Sequence, residues 1–83
     1  MISELYAVKD ELTQMYLTPA HFNSEDEAKR QFKSQINTIP LWKDNSSDFS
    51  LYRVGTYNNE TGELTSNIEK IINGRSVLNW KND

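Results

Sequence analysis

The apolar positions of this chain change period as it proceeds, and each change marks an element. Ala28, Phe32 and Ile36 recur at four-residue spacing, with Ile39 seven residues after Phe32. That is the single stripe of an amphipathic helix. Lys29, Arg30 and Lys33 fall largely off the stripe. Ser24-Glu25-Asp26-Glu27 supplies a start, because Ser24 can cap and Glu27, three residues on, can complete a capping box. Acids in the first turn suit the positive end of the helix dipole. Pro40, which has no N–H to donate, ends the run. The pattern predicts a helix over about 25–38, lying with its stripe on a sheet.

Over residues 48–57 the period is two. Tyr52, Val54 and Thr56 face one way, and Phe49, Leu51, Arg53 and Tyr57 face the other. Both faces carry large apolar groups, so one takes the helix and the second needs another cover. Asn59-Glu60-Thr61-Gly62 fits a type I turn with Gly62 left-handed, and Glu63-Leu64-Thr65-Ser66 returns as the partner strand. Near the N-terminus, residues 4–9 read as a strand, Asp10-Glu11-Leu12-Thr13 as a turn, and residues 14–18 as a second strand ended by Pro19. A helix over 8–17 competes with this hairpin, since Glu11, Leu12, Gln14 and Met15 are helix formers.

Leu41-Trp42-Lys43 and the polar residues 44–48 read as a connection, with Trp42 plugging the edge of the core. Ile68, Ile71 and Ile72 fit a short helix or a strand equally. Asn73-Gly74 marks a turn, and Val77, Leu78 and Trp80 suit a final extended segment. The order β-β-α-β-β predicts one small α+β domain over residues 1–83, an antiparallel sheet with one helix on a face and a less defined tail from about 67.

Composition narrows the chemistry. A chain of 83 residues buries only ~60–65% of its unfolded surface, so its core is small and dimerisation is one way to enlarge it. Without cysteine there is no disulfide, thiolate zinc site or thiol nucleophile. With His21 as the single histidine, a multi-histidine metal site within one chain is excluded as well. No metal, cofactor or small-molecule substrate is expected. The N-terminus lacks the basic and apolar regions of a signal peptide, and no apolar run approaches the ~18 residues of a membrane span. The expectation is a non-membrane protein of a reducing cytoplasm. A net charge of −3 counts against a large DNA-coating role, which calls for a basic surface, but not against a local basic patch.

Three segments together resemble a known family. Leu5-Tyr6-Ala7-Val8-Lys9-Asp10 matches its opening strand; Pro19-Ala20-His21-Phe22 followed by Glu25-Asp26-Glu27-Ala28-Lys29-Arg30-Gln31-Phe32 matches its Pro-aromatic segment and acidic helix start. Asp48-Phe49-Ser50-Leu51-Tyr52-Arg53-Val54-Gly55-Thr56-Tyr57, then Thr61-Gly62, matches its most recognisable element. Over about residues 4–66 the chain resembles the small non-structural protein of gokushoviruses, single-stranded DNA phages of the Microviridae, the product of their fifth reading frame. The resemblance implies a phage-encoded, non-capsid protein working in the host bacterial cytoplasm. Such proteins are commonly assigned to the switch toward single-strand genome production or to DNA binding, and the family carries no catalytic residues to transfer.

Each candidate contact has a plainer alternative. Arg53 with Tyr52 and Tyr57 can stack single-stranded bases, at roughly 1–3 kcal/mol per base, or can pack a core or dimer with Arg53 paired to an acid such as Glu63. Lys29, Arg30 and Lys33 can contact phosphates, or form a solvated face with Glu25–Lys29 and Asp26–Arg30 ion pairs. His21 has no evident acid or nucleophile beside it. Taken with what the resemblance implies, the expectation is a non-enzymatic, homodimeric phage accessory protein binding single-stranded DNA or phage or host replication proteins. The alternative is an interaction module that binds a host or viral protein and never touches DNA.

Overall fold

The computed structural model describes residues 1–78, so Trp80 of the expected terminal segment lies outside the described residues. The elements run β1 (Ile2–Asp10), β2 (Met15–Tyr16), β3 (Ala20–Phe22), α1 (Glu25–Thr38), α2 (Pro40–Asp44), β4 (Phe49–Asn58) and β5 (Leu64–Asn73). Single 3-10 turns precede β4 at Ser46–Asp48 and follow β5 at Gly74–Val77. All pairings are antiparallel, in the order β2-β1-β4-β5, with β3 also paired to β1. The α+β class and the antiparallel sheet under one main helix stand as the sequence predicts.

Helix α1 forms where its local signals place it. The Ser24 hydroxyl accepts from the Glu27 N–H at 3.1 Å, and the Glu27 carboxylate reaches back to the Asn23 N–H at 2.9 Å. The buried stripe is Ala28, Phe32 and Ile36. Ile39 is not part of it: it adopts an extended conformation as the C-cap and is exposed. Pro40 then opens α2 rather than a loop, at the first-turn position where a missing N–H costs nothing. From α2, Trp42 stacks on Phe49 with centroids 4.8 Å apart. The stripe meets Tyr6 and Val8 of β1 and Phe49 and Leu51 of β4, which complete the core.

Other expectations are corrected. The N-terminal hairpin forms, not the competing helix, but its second strand is reduced to Met15–Tyr16. Gln14 takes a left-handed conformation in the turn, and beyond Leu17 the chain reaches Pro19 and rejoins β1 as β3, which the sequence did not reveal. Ile68, Ile71 and Ile72 all lie in β5, a ten-residue strand far longer than the expected 63–66. Val77 ends a 3-10 turn instead of opening an extended segment.

Which side of the sheet each side chain takes follows from contacts and register. Tyr6 is buried under α1, and Glu4, Tyr6 and Arg53 touch one another, so all three lie on the helix side. Glu4 is paired with Thr56, which puts Thr56 there too. Ser3, one residue on, lies on the bare side with its partner Tyr57, and Tyr57 carries Leu64 with it. A bulge in β4 between Arg53 and Gly55 causes this exchange. The alternation in the sequence puts Tyr57 with Arg53 and Thr56 with Tyr52; the extra residue reverses both. From Leu64, β5 alternates to Ser66, Ile68 and Lys70 on the bare side, and Lys70 is duly paired with Tyr52.

Candidate functional site

The sequence-predicted residues separate into two places. Arg53 projects from β4 on the helix side, near the first turn of α1. It is hydrogen-bonded to Glu69 and lies 3.7 Å from Glu4 and 3.8 Å from Glu25. Its expected acid partner, Glu63, is replaced by these three, because β5 continues far enough to bring Glu69 opposite Arg53. Lys29 meets Glu25 at 3.2 Å, the expected i,i+4 pair, whereas Asp26–Arg30 does not form among the described residues. Two cations thus face three carboxylates, a local balance of −1. Tyr6 donates from its hydroxyl to Glu4 at 2.7 Å. Burial first, and then that hydrogen bond, push the Tyr6 phenol up to about 12. Arg30 and Lys33 are exposed on the outer surface of α1. His21, paired in register with Leu5, is exposed on the edge strand β3.

Tyr52 lies on the opposite, bare side and starts a second cluster. Its ring meets that of Tyr16 edge-on, with centroids 5.4 Å apart. The Lys9 ammonium stands 5.2 Å from the Tyr16 ring centre and 5.5 Å from that of Tyr52, within cation–π reach of both. Glu11 ties the group together: it accepts from the Tyr52 hydroxyl at 3.1 Å and lies 3.6 Å from Lys9 and 3.3 Å from Lys70. Burial opposes ionisation of Glu11, but hydrogen bonds from Ser50, Tyr52 and Lys70 outweigh it and hold the carboxyl below its usual range. Burial and the Glu11 carboxylate push the Tyr52 phenol up. Two lysines face one carboxylate, so this end of the bare side carries a local balance of +1 in a chain of −3.

The structure brings Arg53 and Lys29 together through Glu25, sets Arg30 and Lys33 apart on the outer helix surface, and puts Tyr52 and Tyr57 on the other side of the sheet. Lys9, Glu11, Tyr16 and Lys70 were missed. The hairpin sets Lys9 opposite Tyr16 only because its turn falls at residues 11–14; the expected turn at 10–13 sets Lys9 opposite Gln14. Lys70 has no local signal, because its partner Tyr52 is known only once β5 is known to extend that far. The two sides differ in chemistry. The Arg53 site is an acid-saturated ion-pair network, suited to holding α1 on the sheet. The Tyr16/Tyr52 site offers aromatic rings and net positive charge, suited to an anionic ligand with stacking groups.

A comparison with curated proteins and one with solved structures each find no match. A family model does match, over residues 3–77, which extends past the 4–66 of the motif resemblance and takes in β5 and the turn after it. With nearly the whole described chain inside that match, the protein belongs to the phage ORF5 protein family.

Proposed function

We propose that this chain is a non-enzymatic accessory protein of single-stranded DNA phages of the gokushovirus kind, acting during genome production as a homodimer that binds single-stranded DNA. The observation that carries this reading is the Tyr16/Tyr52 pair with Lys9 and Lys70 beside it on the bare side of the sheet. Aromatic rings on a sheet stack unpaired bases, and each stack is worth ~1–3 kcal/mol irrespective of sequence. Duplex DNA withholds its base faces and keeps only the few phosphate contacts of such a surface. The small positive balance of the cluster supports few phosphate contacts, so binding is modest and its salt dependence shallow, with a slope of about −0.7 per phosphate on a single strand. Arg53, surrounded by Glu4, Glu25 and Glu69, is the weaker candidate for phosphate contact.

Fluorescence anisotropy with a labelled oligonucleotide tests this. Lys9→Ala, Lys70→Ala and Tyr16→Ala are expected to weaken single-strand binding several-fold, with Arg53→Ala and Lys43→Ala changing it less. No binding at low salt, or tighter binding to duplex, would remove DNA from the proposal. The second reading, a replication or host protein as the only partner, is favoured by the net charge of −3 and by the carboxylates around Arg53.

A further inference from the structure

Glu11 sits at the centre of the bare-side cluster, and its carboxylate collects donors from three neighbouring strands. Lys9 of β1 lies 3.6 Å away and Lys70 of β5 3.3 Å away, and the Tyr52 hydroxyl of β4 donates at 3.1 Å. The Ser50 hydroxyl, from the same strand as Tyr52, completes the set. Ser50 is fully buried, and the Asn73 amide donates to its oxygen at 2.9 Å, which leaves its own proton for Glu11. Strands β1, β4 and β5 lie side by side and aim two ammonium groups and two hydroxyls at one point. Tyr16 and Tyr52 stand beside that point, with the Lys9 ammonium against both rings. Glu11 itself belongs to no strand. It lies in the turn after β1, its backbone N–H held by the Asp48 carbonyl at 2.7 Å. Its side chain is 24% exposed, so the carboxylate can swing into water while the backbone stays in place.

We propose that this point is the seat of one backbone phosphate of the bound strand, and that Glu11 fills it as an internal competitor. The proposal rests on the single-strand reading above and names what limits its affinity. A phosphodiester carries two unesterified oxygens that share one negative charge, as a carboxylate does, so the same charged and hydroxyl donors suit both. One carboxylate does not balance two ammonium groups. The seat therefore stays positive while Glu11 fills it, and an incoming phosphate is attracted before Glu11 leaves. The phosphate then takes over both lysines and both hydroxyls, the bases next to it reach Tyr16 and Tyr52, and Glu11 turns into water. Each contact the phosphate gains is one that Glu11 gives up, so the lysines contribute less to binding than two free ammonium groups would. Arg53 offers no such exchange, because three carboxylates surround it and the departure of any one leaves two.

Fluorescence anisotropy with a labelled single-stranded oligonucleotide at low salt tests the proposal, with circular dichroism as a check on folding. Glu11→Gln keeps the shape of the side chain and removes its charge. It is expected to bind several-fold more tightly than wild type, the gain shrinking as salt is raised. Asp10→Asn is the control for net charge. Asp10 is the preceding residue, its carboxylate taken up by the Leu12 and Thr13 N–H groups at 3.0 and 3.4 Å, and the same change of charge there is expected to alter binding less. Glu11→Asp is the second variant: it keeps the charge, draws the carboxylate back by one methylene, and is expected to fall between wild type and Glu11→Gln. Wild-type binding that Glu11→Gln leaves unchanged or weakens overturns the phosphate seat alone and makes Glu11 a positioning residue for the lysines. Equal tightening by Asp10→Asn also overturns it, reducing the effect to net charge. Binding by Glu11→Gln but not by wild type keeps the seat and removes the single-strand reading. No binding by either overturns both.

Discussion

Gly62 and Gly55 both carry positive φ, for different reasons and with different consequences. Gly62, at φ +78°, closes the β4–β5 hairpin as the sequence predicts, and a Cβ there meets nothing within 4 Å. Backbone strain is the whole cost of a side chain, so Gly62→Val is expected to destabilise by about 1–2 kcal/mol. At Gly55, in the bulge, a Cβ runs into the Thr65 carbonyl oxygen of the neighbouring strand. Gly55→Ala is therefore expected to lower the melting temperature more than Gly62→Ala, although it adds the same methyl group. Tyr6 makes a second residue-scale case. Its folded pKa of about 12 lies above the ordinary 10.0 through burial and the Glu4 hydrogen bond. A raised pKa favours the neutral phenol in the folded state, so this contribution is complete below about pH 10 and is lost as pH rises through the folded value. Melting temperature is expected to fall over that alkaline window, and ultraviolet titration to show Tyr6 ionising late. Tyr6→Phe is expected to flatten part of the fall.

Among the elements, α1 was legible and β5 was not. The start, stripe and stop of α1 all lie within residues 24–40, because capping and helical periodicity act over a few residues. Ser24→Ala is expected to cost about 1 kcal/mol in urea denaturation, and Ser24→Gly only a few tenths. The length of β5 depends on β4, with Ile72 opposite Leu51 and Glu69 opposite Arg53. No local rule extends a strand through Asn67, Glu69 and Lys70. Strand β3 was hidden for the same reason, since Ala20-His21-Phe22 becomes a strand only by returning to the edge of β1 after Pro19.

For the whole molecule, relative lengths decide what is left uncovered. The fourteen residues of α1 span about 21 Å, while the ten-residue strands β4 and β5 reach about 33 Å. The hairpin therefore outruns the helix, and the long dimension of the molecule is 47 Å. The α+β class, the helix with its cap, the Gly62 turn and the two apolar faces of strand 49–57 are legible in the chain alone. Each of these comes from neighbouring residues acting on one another. Tertiary structure alone decided which groups meet. The bulge at Gly55 moved Tyr57 to the bare side, and the full length of β5 enclosed Arg53 in acids while setting Lys70 opposite Tyr52. An inserted residue reverses every side chain beyond it, and strand pairing joins residues far apart in the chain, such as Arg53 and Glu69, sixteen residues on. Periodicity along the chain records neither.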